Sequence, residues 1–248
     1  MHVLVTGAGS GIGQATALLL REQGHSVLAT DLTRASLATV EAVGAVALAA
    51  DLSDPAGRER LLGALDEAAP PDGLVNAAGR MVVRPIGQVS VDDFRSVFAT
   101  NAESAFFLCQ AMGPRMSSGG SIVNFSSPSA KFVVTTEAAV YAASKAAISQ
   151  ITRSFAMAYA DRPGGPIRVN ALSPGITDTP MQSGVLDEVS RSRGIARDAL
   201  ETSRLATVPM RRTASPTEMA GWVVWLLSDT ARYMTGQVLN VDGGMVMW

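Results

Sequence analysis

Thr6-Gly7-Ala8-Gly9-Ser10-Gly11-Ile12-Gly13 follows directly on an apolar run, His2-Val3-Leu4-Val5-Thr6, and leads into a helical pattern from Ile12 through Arg21. An apolar run without polar alternation describes a strand covered on both faces. The four glycines of the turn allow a tight reversal. They also let backbone N–H groups of a helix N-terminus approach an anion such as a pyrophosphate. A chain that begins this way is strongly constrained towards an open parallel α/β sheet, although a glycine turn alone is also compatible with a plain strand–helix connection.

The same alternation continues. Apolar runs at Ser26–Thr30, Val46–Ala50, Gly73–Asn76, Ser121–Phe125, Ile167–Leu172 and Gln237–Val241 predict six further strands. Helices are expected near 34–43, 55–69, 90–117 (interrupted), 137–161 and 215–228. Asp54-Pro55 and Ser215-Pro216 read as an N-cap followed by a proline in the first turn. Pro163-Gly164-Gly165-Pro166 ends the long helix. The expected fold is a single α/β domain over 1–248, a Rossmann-like, doubly wound, parallel seven-stranded sheet with helices on both faces. Residues 178–212, rich in Arg, Ser and Glu and without a strand pattern, read as a helical flap within that domain, covering the substrate.

Composition narrows the function classes. Net charge is −2 and the twenty Lys and Arg form no basic run, so neither nucleic acid nor an anionic membrane is an expected partner. No apolar run reaches the ~18 residues of a membrane span. A strand starting at His2 leaves no room for a leader, and a cytoplasmic location is expected. The single cysteine, Cys109, lies in an apolar segment and reads as a buried small residue. His2 and His25 stand at the starts of strands and read as structural, so no metal site is expected.

Tyr141 and Lys145 are four residues apart, on one face of the predicted helix. A tyrosine has a pKa of about 10 and exchanges protons poorly near neutral pH unless its anion is stabilised. A nearby ammonium group would lower that pKa. With a dinucleotide turn at the other end of the chain, the pair reads as proton transfer coupled to hydride transfer. In isolation it would read as a surface pair on an amphipathic helix.

The glycine spacing is specific. The commoner dinucleotide fingerprint needs a glycine at position 12, where Ile12 stands; Gly7, Gly11 and Gly13 form G-x-x-x-G-x-G instead. With this turn, Asn76-Ala77-Ala78-Gly79, the Tyr141/Lys145 pair and Ser173-Pro174-Gly175-Ile176-Thr177-Asp178-Thr179, the chain resembles the short-chain dehydrogenase/reductase family over nearly its whole length. Asp31 stands eighteen residues after Gly13. An acid there accepts hydrogen bonds from a ribose 2′-OH and repels a 2′-phosphate, unless it merely caps a helix. Leu32 and Ser10 are not basic, so NAD is the expected cofactor, with Arg34 the one nearby cation that could turn towards a phosphate.

The resemblance implies a cofactor site of Gly7, Ser10, Gly11, Ile12, Gly13, Asp31, Asp51, Leu52, Asn76, Ala77, Gly79, Pro174, Ile176 and Thr179, with Tyr141 and Lys145. Asp51 and Leu52 would bind the adenine, and Ile176 and Thr179 the nicotinamide carboxamide. It implies that Tyr141 is the catalytic acid and base, that Lys145 holds the ribose, and that Asn101 anchors a water linking Lys145 to solvent. A fourth member, a serine holding the substrate oxygen, usually lies thirteen residues before the tyrosine. Pro128 occupies that position, so one inserted residue is inferred and Ser127 is chosen, with Ser126 and Ser129 as alternatives.

The expected activity is NAD(H)-dependent interconversion of a secondary alcohol and a ketone. The segment 173–182 resembles that of dehydrogenases acting on cyclic dihydrodiols, which favours a small cyclic alcohol or dihydrodiol as substrate. A 3-ketoacyl-thioester reductase is the enzymatic alternative; a non-catalytic NAD-binding sensor is another, but would carry a damaged Tyr/Lys pair. Arg80 and Lys131 replace an apolar residue and a glycine of the family pattern. Each reads as a solvated loop charge or as an anchor for an anionic substrate group. Family resemblance also implies a homotetramer. Phe106, Phe107, Leu108, Ile148, Ile151 and Phe155 supply apolar positions for both a core and an interface.

Overall fold

Val3 and Val5 face one side of the central sheet and Leu4 the other, and both sides are buried in the computed structural model of Met1–Trp248. The strands are β1 (His2–Thr6), β2 (Ser26–Asp31), β3 (Val46–Ala49), β4 (Gly73–Asn76), β5 (Gly120–Phe125), β6 (Ile167–Pro174) and β7 (Val238–Val241). All pair in parallel in the order β3-β2-β1-β4-β5-β6-β7. The order reverses between β1 and β4, whose last residues, Thr6 and Asn76, are in register. A crevice opens at the carboxyl ends of such diverging strands.

Helices cover both faces. On one side α1 (Gly11–Glu22) and α9 (Pro216–Leu227) pack Ala17, Leu20, Met219 and Val223 against Val3, Val5, Val75 and Val123. On the other, α3 (Pro55–Asp66), α5 (Ser104–Arg115) and α6 (Ala139–Tyr159) pack Leu61, Leu108, Met112 and Phe155 against Leu4, Leu28, Leu74 and Ile122. Burying each large aliphatic side chain contributes roughly 1.5–3 kcal/mol. The expected caps form: Asp54 accepts from the N–H of Ala56, and Ser215 and Glu218 make a capping box. No helix is long and apolar enough to cross a membrane.

One element differs from the sequence-based expectation, and two others take the form expected in outline. The helix expected over 34–43 is a 3₁₀ turn, Ala35–Leu37, followed by the single turn α2 (Ala38–Glu41); the Ser36 hydroxyl bonds the Thr33 carbonyl before it. The interruption expected within 90–117 is a π-helical turn, Ala99–Glu103, between α4 (Val91–Phe98) and α5. Residues 178–212 contain α7 (Pro180–Arg193) and α8 (Arg197–Leu205), which bury Leu186, Val189 and Leu200 in a small cluster apart from the two sheet cores. Of the six apolar residues on the predicted helices, Leu108, Ile148 and Phe155 are core, whereas Phe106 and Phe107 are exposed.

Gly13 is required by packing. A Cβ there would lie 2.2 Å from the carbonyl oxygen of Gly7, against backbone atoms that cannot rotate away. Gly13→Ala is expected to destabilise the protein by at least about 2 kcal/mol, read as a lower urea midpoint at unchanged slope. A midpoint equal to wild type would mean that the turn can widen.

Candidate active site

The glycine turn and the Asn76–Gly79 segment leave β1 and β4 side by side. The Ala78 N–H donates to Thr6 Oγ1 at 3.0 Å. Gly7 has φ +63°, and a Cβ on it would meet the Ala77 carbonyl at 2.7 Å. The backbones therefore touch where side chains would not fit. The start of α1 is uncapped: Ser10 makes no side-chain cap bond, and no acid lies in the first turn. By contrast α3, α4, α7 and α9 all have capping side chains. Free N–H groups and the positive end of the helix dipole form an anion cradle.

Asp31 closes one side of this cradle. Its Oδ2 accepts from the Gly9 N–H at 2.8 Å and its Oδ1 from the Leu32 N–H at 2.7 Å. Arg34, the cation that could have faced a phosphate, is ion-paired with Glu41. Asp51 Oδ1 accepts from the N–H and hydroxyl of Ser53 at 2.9 and 2.7 Å, and Leu52 is buried beside it. Thr179 caps α7 through the Gln182 N–H, and its methyl lies 3.1 Å from where a Cβ on Gly11 would stand. Ser10, Gly11, Ile12, Gly13, Pro174 and Ile176 border the same cavity, which has a volume of about 740 Å³. The uncapped cradle and the acid at the end of β2 fit a dinucleotide.

Tyr141, Lys145 and Ser127 also line that cavity. Ser127 Oγ accepts from the Ser129 N–H at 3.2 Å and stands close enough to the Tyr141 hydroxyl to act on it. Burial pushes the Tyr141 phenol above its usual pKa, and the neighbouring Ser127 hydroxyl pulls it part of the way back. Lys145 is buried and its pKa falls to about 8 for that reason. Its Nζ donates to the Phe125 carbonyl at 2.8 Å and lies 5.6 Å from the centre of the Tyr141 ring. Lowering of the tyrosine pKa by Lys145, expected from sequence, is therefore not what the chain alone produces. The ammonium group sits over the ring rather than beside the hydroxyl, and dehydration of the phenol raises its pKa.

The three candidate serines separate cleanly. Ser126 turns into the fold, bonding the Lys145 carbonyl at 3.2 Å and the Ser149 hydroxyl at 2.7 Å. Ser129 lines the cavity and donates its N–H to Ser127 Oγ at 3.2 Å. All three border the cavity, and Ser127 is the one whose hydroxyl acts on the Tyr141 phenol.

Two expected site residues stand behind the cavity wall. Asn76 donates to Asn124 Oδ1 at 2.8 Å and towards Cys109, leaving its own Oδ1 without a partner; Ala77 and Gly79 line the cavity in its place. Asn101, in the π-helical turn, donates to the Arg80 carbonyl and to Ser144 Oγ, both at 2.9 Å, and accepts from the Arg80 N–H at 2.7 Å. It is thus a clamp between the loop after β4 and the catalytic helix. Burial pushes the Cys109 thiol up to about 12. Lys131 is engaged by Asn240 Oδ1 and the Trp248 backbone oxygen, both at 2.9 Å, whereas Arg80 lines the cavity.

Sequence reasoning missed the flap residues that complete the wall: Met181, Gln182, Arg193 and Arg204. Only their place after β6 signalled them, since neither periodicity nor motif marks which flap side chains turn inward.

A family model described as Enoyl-(Acyl carrier protein) reductase matches residues 7–246. The galactitol 2-dehydrogenase (L-tagatose-forming) of Cereibacter sphaeroides is 35% identical over 253 residues, covering 98% of this chain and 94% of the relative. The 2,3-dihydro-2,3-dihydroxybenzoate dehydrogenase of Bacillus subtilis (strain 168) is 33% identical over 254 residues, covering 98% and 95%. Among solved structures, a single-residue variant of actinorhodin polyketide ketoreductase with NADPH superposes with a TM-score of 0.89 at 31% identity, covering 98% and 96%. With a parallel sheet, a glycine cradle and a Tyr/Lys/Ser cluster at one crevice, the chain belongs to the short-chain dehydrogenase/reductase family of nicotinamide-dependent oxidoreductases.

Proposed function

We propose that the protein is an NAD(H)-dependent oxidoreductase that interconverts a secondary alcohol and a ketone, its substrate a small cyclic alcohol or dihydrodiol. The observation that carries this reading is the convergence of Ser127, Tyr141 and Lys145 in one cavity with Asp31 and the uncapped start of α1. In alcohol oxidation Tyr141 takes the hydroxyl proton as the C–H bond loses hydride, and in reduction it returns that proton. Ser127 holds the substrate oxygen and stabilises the charge that develops on it. Lys145 holds the nicotinamide ribose, and Asn101 keeps the proton path beside Lys145 in place. A bound nicotinamide supplies the hydride acceptor or donor and, when oxidised, a positive charge that favours ionised Tyr141.

Asp31 and the engaged Arg34 support NAD over NADP, since a 2′-phosphate would meet a carboxylate and no free cation. The dihydrodiol relative and the apolar wall of Met181, Val185 and Val189 support a small ring as substrate. A 3-ketoacyl-thioester reductase is the second reading, favoured by the NADPH-bound ketoreductase neighbour and disfavoured by Asp31. Helices α7 and α8 act as the cover of the bound substrate. Exposed Phe106 and Phe107 on α5 suit a subunit interface, which makes a homotetramer our assembly proposal.

A panel of cyclic secondary alcohols, followed by absorbance of the reduced cofactor, tests the reading. Turnover is expected with NAD⁺, at a kcat/KM at least about tenfold above that with NADP⁺, because opposed like charges cost several kcal/mol. A preference for NADP⁺ would reverse the cofactor assignment. Tight NAD⁺ binding without turnover on any member would turn the assignment to a sensor.

A further inference from the structure

We infer that Arg204 is a specificity residue that binds a carboxylate of the substrate, so that the proposed cyclic alcohol is a hydroxy acid; this rests on the oxidoreductase reading above. Arg204 lies on α8 and borders the cavity with Ser203 and Thr207. Its Nη2 donates to Gln182 Oε1 at 2.6 Å. Gln182 is in turn fixed by its N–H bond to Thr179 Oγ1, at the point where the flap leaves the sheet. No carboxylate is in ion-pair contact with Arg204. Glu201, one turn earlier, acts on it only at a distance, and burial pushes the guanidinium below its usual pKa despite that acid.

The other arginines of these two helices behave in the opposite way. Arg191 pairs with Glu188, Arg193 with Glu137 and Arg197 with Asp187, and all three arginines are exposed. Stability alone would leave exposed cations solvated and give the sheltered one a counter-ion. Here the sheltered cation is the one without an acid, and it faces a cavity. That arrangement makes sense when the counter-ion arrives with a ligand.

The ligand's chemistry follows from the surroundings. A guanidinium fork matches the two oxygens of a carboxylate. The adjacent wall of Met181, Val185, Val189, Leu200 and Met245 is apolar, and Ser203 and Thr207 add hydroxyls. A compact apolar ring bearing a carboxylate satisfies all three. The pyrophosphate of the cofactor has its own cradle at Ser10–Gly13 and does not need Arg204.

The test uses the full chain with saturating NAD⁺ and two probes of nearly equal shape, 3-hydroxybenzoate and 3-hydroxybenzamide, titrated calorimetrically. NAD⁺ is titrated first. Its failure to bind would end the dinucleotide reading and this inference with it, whereas bound NAD⁺ with indifferent probes would end only the role of Arg204. The wild type is expected to bind the benzoate roughly ten- to a hundredfold more tightly than the benzamide, the range of a sheltered charged hydrogen bond. Arg204→Gln should erase that preference while leaving benzamide and NAD⁺ affinity within about twofold, and Arg204→Lys should restore part of it. Gln182→Glu, which places an acid on the guanidinium from within, should abolish the preference in a chain that keeps Arg204. Equal affinities in the wild type, or an undiminished preference in Arg204→Gln, would overturn the inference. So would a loss of NAD⁺ affinity matching the loss for benzoate, which would move Arg204 to the cofactor.

Discussion

Tyr141→Phe should lower kcat for alcohol oxidation by about 10²- to 10⁴-fold, the range that positioned proton transfer supplies, while NAD⁺ binding stays close to wild type. The substitution removes one oxygen from the cavity and keeps the ring that packs beside Lys145. It leaves Ser127 bonded to the Ser129 N–H as before. Binding and chemistry should therefore separate. The pH profile adds a second reading of the same group. Burial holds the Tyr141 phenol protonated to higher pH than a free tyrosine, and the neighbouring Ser127 hydroxyl opposes this. Oxidation consumes the ionised form, so the wild-type rate should climb with pH, and the residual rate of Tyr141→Phe should not follow that limb. A variant retaining most of wild-type kcat would remove Tyr141 from the mechanism.

Lys145→Met should abolish most activity and yet make the protein without cofactor more stable at neutral pH. Lys145 titrates near 8 in the folded chain against 10.5 for a free lysine. Below pH 8 it is charged in both states, and the folded state carries the whole dehydration cost. Between pH 8 and 10.5 the folded state has shed the proton while the unfolded chain keeps it, so the dehydration cost fades and stability levels off only above that window. The shift corresponds to about 3 kcal/mol, against which stands the lost bond to the Phe125 carbonyl, worth about 1 kcal/mol. Lys145→Met is therefore expected to be about 2 kcal/mol more stable at pH 7, a gain that is largest where both states are charged. Denaturant unfolding at pH 7 measures it. A variant less stable than wild type at pH 7 would show the buried ammonium to be a net support of the fold. The expected pairing of lost turnover with gained stability is the signature of a charge held in the core for chemistry.

The positions of the strands were legible in the chain because each depends on a local run. Val3 to Val5, Leu74 to Val75 and Ile122 to Val123 are apolar without alternation, and only a strand sandwiched between helices buries them all. The glycine turn was legible for a similar reason: a positive φ at Gly7 and backbone pressed against Gly13 leave no room for a side chain. Tyr141 and Lys145 came together through helical spacing alone.

Tertiary structure decided the rest, because it depends on where side chains from distant segments point. Ser126 and Ser127 are adjacent in sequence but meet different partners, Ser126 the Lys145 carbonyl and Ser149 hydroxyl and Ser127 the Ser129 N–H beside Tyr141, and only the packing of α6 against the end of β5 decides which is which. Asn76 and Asn101 are held at the cavity wall by folded contacts over 48 and 43 positions of chain, which no local pattern announces. Lys131 and Arg204 carry the same charge in stretches of similar polarity. One is tied to Asn240 across 109 positions and the other is folded over the cavity beside Gln182. Apolar periodicity and backbone sterics act within a few residues and are written in the sequence; a charge acquires its partner, or is left waiting for one, only when the chain has closed.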